Sequence, residues 1–371
     1  MESNYWIYND YFIFKASFHG LITDYIYIIK NYKKLVFSEY NDLEYVIENI
    51  NNICYTNNYN YYCSRFNKPL SNELDELTNL TLITFGNTFN QPLANSLDQL
   101  INLTRITFGT DFDQPLFNSL DKLINLTHLI FNGKFNQPLA NSLDKLVNLT
   151  CLNPGYIFNQ PLANSLDKLT NLKYLTFGYF FNQPLENSLN QLTNLIMITF
   201  GVNFNQPLAN SLDQLTNLTN IIFGDRFNQP LSNSLDQLIN LEQLAFGYDF
   251  NQPLSNSLCY LTKLEHLTLG IDFNQELILP SNIKILTLDS NIPNLMDSLP
   301  NSIRELNLGY CFKLPLDNLP SSIKKIKFII NSKYDKPLNN LPKSLEQIEL
   351  GKNYKLEIKN APINCKIIYH D

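Results

Sequence analysis

Long apolar runs, glycine-rich loops and catalytic signatures are all missing from this 371-residue chain. No stretch approaches the roughly 18 apolar residues that a membrane span requires, which argues against a membrane partner. The N-terminus has no basic segment followed by an apolar run and small residues, so a secretory signal is not expected and the reading is an intracellular protein of the cytoplasm. The six cysteines, Cys54, Cys63, Cys151, Cys259, Cys311 and Cys365, are scattered at unrelated repeat positions and mostly far apart, which fits free thiols in a reducing compartment. There is no phosphate-cradling glycine loop, no nucleophile elbow, no His-Glu-x-x-His and no Gly-Gly-x-Gly-x-Asp repeat. No cofactor and no enzymatic activity are expected.

What is present is a repeat. Phenylalanine recurs at Phe66, Phe89, Phe112, Phe135, Phe158, Phe181, Phe204, Phe227, Phe250 and Phe273, in a 23-residue period without insertion or deletion, and is mostly followed by Asn-Gln-Pro-Leu. So strict a period means stacked structural units. In the unit from Phe227, the apolar positions are Phe227, Leu231, Leu235, Leu238, Leu241, Leu244 and Phe246. Spacing tightens to two before Phe246, which predicts a short strand with Leu244 and Phe246 inward and Gln243 and Ala245 outward. The gaps of three among Leu235, Leu238 and Leu241 predict one helical or 3₁₀ turn on the opposite side, with Asn233 and Asp236 as a weak capping box. One unit cannot bury seven apolar side chains alone, so the units share a continuous core beneath a parallel sheet. Asparagine also forms columns, from Asn90 to Asn274, from Asn95 to Asn256 and from Asn102 to Asn240. Their amides are suited to bonding backbone groups that stacking hides from water.

Three segments follow. Residues 1–63 break the period and read either as an N-terminal cap built on a decayed repeat at Lys34-Leu35-Val36-Phe37, or as the trace of a helical recruitment module over Phe18–Ile29. Residues 64–278 are the regular array. In residues 279–371 the units shorten and the pairs Leu279-Pro280, Leu299-Pro300, Leu319-Pro320 and Leu341-Pro342 precede the strands, ending in a closing strand near Ile367.

The motif Phe-Asn-Gln-Pro-Leu, together with Thr84-Phe85-Gly86, Thr176-Phe177-Gly178 and Thr199-Phe200-Gly201, resembles the FNIP-repeat family. This is a leucine-rich-repeat-like group found chiefly in social amoebae and in giant viruses that infect them. The resemblance spans about residues 64–360 and implies a solenoid that holds protein partners. Its Leu-Pro pair appears only in the last quarter; earlier units carry Leu-Thr-Asn-Leu or Leu-Ile-Asn-Leu. Related viral proteins place an F-box ahead of such repeats, so an F-box-like residues 1–63 would make the chain a substrate-recognition subunit that binds a ubiquitin-ligase adaptor.

Charge is uneven: residues 1–280 carry 14 basic and 25 acidic side chains, against 13 and 9 in residues 281–371. Lys324, Lys325 and Lys327 are the densest basic group, but neighbouring strands offer Glu305 and Glu349, so cross-strand pairing is expected rather than nucleic-acid binding. The aspartates Asp98, Asp121, Asp144, Asp167, Asp213 and Asp236 form a column of solvated turn residues. His128 and Cys151 share an outward strand position one unit apart, and no third group orients them for a hydrolase or transferase. The outward positions vary while the interior is fixed, as in a partner-binding surface. At one strand Pro154 takes the inward phenylalanine's place, and the residues around it turn apolar: Tyr156, Ile157, Tyr174, Tyr179, Phe180 and Met197. Two readings stand for this cluster: an exposed partner site, or rings folded inward to fill the space beside Pro154.

Overall fold

The computed structural model describes residues 3–49, 64–254 and 257–370. The chain divides into two compact units, residues 1–195 and 196–371. Both are stacks of coils, each coil giving one short strand to a parallel sheet.

The first unit opens with an antiparallel hairpin, β1 (Tyr5–Tyr8) and β2 (Tyr11–Phe14). After β2 the chain makes a coil through a 3₁₀ turn and a four-residue helix, α1 (Ile26–Ile29), into β3 (Lys34–Phe37), which pairs in parallel with β2. Phe18, Ile22 and Ile29 are buried in that coil, and the Phe18 ring stacks on Phe14 at 3.8 Å. A seven-residue helix, α2 (Leu43–Asn49), follows. The regular strands are β4 (Leu82–Thr84), β5 (Arg105–Phe108), β6 (His128–Phe131), β7 (Cys151–Asn153) and β8 (Tyr174–Thr176), all parallel and paired in sequence from β3 onward.

The second unit continues the plan with β9 (Met197–Thr199), β10 (Asn220–Ile222), β11 (Gln243–Ala245), β12 (His266–Leu269), β13 (Ile285–Leu288), β14 (Glu305–Leu308), β15 (Lys325–Phe328), β16 (Gln347–Gly351) and β17 (Lys366–His370). Register partners keep the regular period from β9 to β12, as in Asn220↔Gln243, and fall closer together along the chain thereafter, as in His266↔Ile285 and Lys325↔Gln347. The shorter spacing is where the Leu-Pro pairs begin.

The inward columns are dry. Leu231, Leu235, Leu238, Leu241 and Leu244 are at most 1% exposed. Phenylalanines stack from coil to coil, with Phe204, Phe227 and Phe250 at 6.0 Å and Phe200, Phe223 and Phe246 at 5.1 to 5.2 Å between centroids. Each such ring is worth about 3–5 kcal/mol over alanine.

Of the two forms expected for the leucine-rich back of the coil, helical or 3₁₀, it takes the 3₁₀ form, as successive i→i+3 bonds: Ser234 N to Leu231 O, Asp236 N to Asn233 O, Leu238 N to Leu235 O and Leu241 N to Leu238 O. A left-handed residue interrupts it, Ser232 (φ 45°) in one coil and Asn210 (φ 57°) in another. Accordingly the asparagine before the serine caps no helix; in four coils, from Asn141 to Asn210, it is itself the residue with positive φ, which asparagine tolerates better than most side chains.

The other two asparagine columns carry the bonds that were expected. Asn205 Oδ1 accepts from the Asn228 backbone N–H at 2.9 Å and Asn228 Oδ1 from that of Asn251 at 3.0 Å. Asp113 replaces asparagine in one coil and still accepts from Asn136 N at 2.9 Å. On the far side of the coil, Asn125, Asn148 and Asn171 each donate from Nδ2 to a carbonyl of the preceding coil at 2.9 Å. Glycine after the strand is required by close approach: a Cβ on Gly224 would overlap the Gly201 carbonyl.

Candidate functional site

In the first unit, register sets Arg105, His128, Cys151 and Tyr174 side by side on the outward face. Tyr174 is 43% exposed, and the other three are half-buried. Burial, and then the Arg105 charge, hold the His128 imidazole below its usual value, so the neutral ring is favoured there. Its Nδ1 lies 2.9 Å from Thr127 Oγ1. Among the described residues no group of three His, Cys, Asp or Glu side chains is placed to hold a metal ion.

Pro154 and Gly155 are both buried, and β7 stops at Asn153. Gly155 turns with φ of 100°, its N–H bonded to Asn153 Oδ1 at 3.0 Å, and a Cβ there would press on the Phe131 backbone. Proline and this tight turn stand at the place of the missing phenylalanine. The neighbouring aromatics stay outside: Tyr156 stacks on Tyr179 at 5.1 Å, and Phe180 stands edge-on to Tyr156 at 5.6 Å and tilted to Tyr179 at 4.9 Å. Phe180 is 43% and Ile157 38% exposed, so the Phe180 ring is not folded inward, while Tyr156 and Tyr179 are half-buried. The regular period explains the cluster, because it puts Tyr156 directly beside Tyr179 in the next coil. Rings at these separations are in contact, so the cluster is a packed aromatic patch at the surface. Tyr174 lies on the sheet face itself, and Met197 is a half-buried residue of β9 in the second unit.

The acidic partner expected for the β15 lysines, Glu349 in β16, gathers His370 and Gln347 as well, which the sequence did not indicate. The Glu349 carboxylate is 8% exposed and receives Lys325 Nζ at 3.0 Å, His370 Nε2 at 2.9 Å and Gln347 Nε2 at 2.7 Å, with Lys327 at 3.8 Å. Burial works to raise its pKa, but the hydrogen bonds from Lys325 and His370 and the two lysine charges outweigh it, and the group sits below the usual carboxylate value. The expected cross-strand pairing of Lys325 and Lys327 is therefore centred on Glu349, while Lys324 pairs with Glu346 at 2.7 Å. Glu305 acts on Lys325 through its charge.

Strands on one face, leucine-lined turns on the other and asparagine ladders between coils define a leucine-rich-repeat-like solenoid. Its last coils are similar to FNIP repeats: the model of the FNIP Repeat family matches residues 273–311, 291–331 and 312–353. No curated protein matches the sequence. Among solved structures, CroV588, described as a novel circular LRR protein, is similar with a TM-score of 0.61 and 24% identity over 99% of this chain. The chain spans 60% of the length of CroV588. An LRR protein of Leptospira interrogans is similar with a TM-score of 0.55 and 17% identity, over 91% of this chain and 86% of that one. An internalin, InlF, of Listeria monocytogenes follows with 0.51 and 16%, over 80% and 82%. At these identities the likeness is one of fold. No described helix is long and apolar enough to cross a membrane.

Proposed function

We propose that the protein is a non-catalytic scaffold that binds another protein through the outward sheet face and strand-end rim of its first unit. The observation carrying this is the three-ring cluster of Tyr156, Tyr179 and Phe180, held on a stack whose core does not need it. Exposed aromatics on a rigid support are what interface hot spots use. Tyr174 and Ile157 extend the surface. Its partner is a protein rather than nucleic acid, since the outward row offers few cations and the lysines at β15 are taken up by carboxylates. An intracellular setting agrees with the free thiols of Cys311 and Cys365.

A ubiquitin-ligase role would need residues 1–63 to bind an adaptor. Residues 11–37 are instead built into the solenoid core, through Phe12, Phe14, Phe18 and Phe37, and this favours the plain scaffold. Residues 50–63 of that segment lie outside the described residues.

The test replaces Tyr174, Tyr179 and Phe180 together by serine and compares capture of the main partner from a cell lysate with that by the parent protein. Loss of the partner, with a thermal midpoint within a few degrees of the parent, is the expected result. Unchanged recovery would overturn the site, and a collapsed midpoint would assign the rings to the fold.

A further inference from the structure

Along the edge where its strands begin, the first unit carries an open groove that lies apart from the aromatic patch. Its floor is two rows: the asparagines from Asn79 to Asn194, and, two residues on, Thr81, Thr104, Thr127 and Thr150. The groove has two stretches, about 350 Å³ between Lys30, Lys33 and Asn102 and about 490 Å³ between Asn125, Lys173 and Asn194.

Stacking consumes donors from this floor and leaves acceptors. Thr104 Oγ1 donates to Thr81 O at 3.0 Å, Thr127 Oγ1 to Thr104 O at 2.8 Å and Thr150 Oγ1 to Thr127 O at 3.1 Å. Each asparagine likewise gives an amide proton to the coil before it, as Asn148 does to Ile124 O at 2.9 Å. What remains for a ligand are hydroxyl lone pairs and amide oxygens, which suit N–H donors. In the second unit such an oxygen already takes a donor: Asn240 Oδ1 accepts from Lys263 Nζ at 2.7 Å.

Charge stands only at the two ends of the groove. No carboxylate lines either stretch, and the cations are Lys30 and Lys33 at one end and Lys173 at the other. Lys33 and Lys173 are exposed and form no ion pair among the described residues, while Lys30 lies over the Tyr27 ring at 4.5 Å. Five strand pairings separate the coils of β3 and β8, which at about 4.8 Å each sets the ends roughly 24 Å apart. In the second unit the threonine row turns acidic, at Glu242 and Glu265.

We propose that this groove holds an extended peptide segment of the partner with acidic side chains at both ends and a neutral middle, an inference that rests on reading the chain as a protein-binding scaffold. Backbone N–H groups of the segment meet the amide and hydroxyl acceptors, and its carboxylates meet Lys30 and Lys33 at one end and Lys173 at the other. An extended chain covers the separation in about seven residues. A nucleic-acid strand, with a phosphate at every nucleotide, would need cations along the whole floor, and the middle has none.

Fluorescence anisotropy with the full chain tests this. The probe is a fluorescein-labelled Ser/Thr/Gly peptide with two glutamates at each end, set about seven residues apart. Saturable binding that weakens as salt rises from about 0.05 to about 0.3 M is expected. Lys33→Glu and Lys173→Glu, both at exposed side chains, should each weaken it roughly tenfold without moving the thermal midpoint. A peptide of the same composition with its four glutamates together should also bind roughly tenfold less tightly, because it reaches one end only. No binding, equal binding of the clustered peptide, charge reversals without effect, or tighter binding of an oligothymidylate of equal charge would each overturn the proposal. Replacing Tyr174, Tyr179 and Phe180 by serine separates the groove from the aromatic patch, since that variant should lose the partner and keep the peptide. A parent protein that captures its partner but takes no peptide would sink the groove alone.

Discussion

Within the second unit, the coils up to β12 and those after it share one interior but obey different rules of length. Both keep a buried residue at each inward position, Phe223 and Phe246 in the first set and Leu288, Leu308 and Phe328 in the second. They differ in how coils are bonded outside the sheet. In the regular set, an asparagine reaches from one coil to the N–H of the equivalent residue in the next, as Asn205 does to Asn228. In these equally long coils the ladder repeats at the same position from one coil to the next. In the later set, Ser302 and Ser322 occupy the far-side asparagine position, and their buried hydroxyls find no partner. Arg304 Nη1 instead donates to the carbonyls of Asn301, Ile303 and Ser322. Pro300 takes the place of a column leucine, its carbonyl accepting from Ile303 N at 3.2 Å, as that of Leu238 accepts from Leu241 N. Cross-coil bonds persist there only locally, as where Asn291 Oδ1 accepts from Lys313 N at 2.6 Å and Ser344 Oγ donates to Ile323 O at 2.9 Å, and the coils vary in length. The apolar columns make the solenoid, and the asparagines make it regular.

The largest break of this comparison is a change of phase. Deleting the segment Phe204 to Arg226 removes one whole coil and should leave a protein that unfolds in a single cooperative transition with a lower midpoint. Deleting only Phe204 to Gln214, part of that coil, puts polar side chains in every column below it and should abolish cooperative unfolding altogether. Denaturant titration followed by far-ultraviolet circular dichroism separates the two. Equal damage from both would mean that neighbouring coils are not the unit of stability.

A finer test asks what the amides contribute. Asn205→Ala strands the Asn228 N–H and frees Gln229 Nε2, so a loss of roughly 1–3 kcal/mol is expected from the denaturation midpoint. Ser302→Ala removes a hydroxyl that has no partner, so it should be neutral within about 0.5 kcal/mol or slightly stabilising. If the serine costs as much as the asparagine, the later coils have a polar ladder of their own and the contrast between the two sets fails.

The same contrast sets what could be read without the structure. The spacing of Leu241, Leu244 and Phe246 placed the strands and their inward faces, because period two has a single structural meaning. Proline at position 154 marked the irregular coil, and the constant period was enough to put Tyr156 beside Tyr179. The ring geometry was not legible, since whether Phe180 turns in or out depends on how much space Pro154 and Gly155 leave. The coil from Phe18 to Phe37 was legible only at its strand, Lys34-Leu35-Val36-Phe37: its Phe18, Ile22, Ile29, Leu35 and Phe37 follow the regular apolar spacing, but Phe18-His19-Gly20-Leu21 lacks the motif and the departure at Glu39 delays the next phenylalanine to Phe66. The turn of leucines stayed open between a helical and a 3₁₀ form because a spacing of three fits both equally well.

The smallest expected effect sharpens the electrostatic side of the later coils. Glu349 is ionised in the fold and has a pKa below its ordinary 4.5. Its contribution to stability is therefore complete above the unfolded value and is lost as pH falls through the folded one. Glu349→Gln should lower the thermal midpoint at pH 7, where Lys325, Lys327 and His370 lose their common anion, and should change it much less at pH 3, where the parent carboxyl is also being neutralised. The difference between parent and variant, plotted against pH, should shrink steadily below about 4.5. A difference that is constant across this range would mean that Glu349 acts by packing against β15 and β17 and not by its charge. In that case the lysines of β15 would be free to serve a partner.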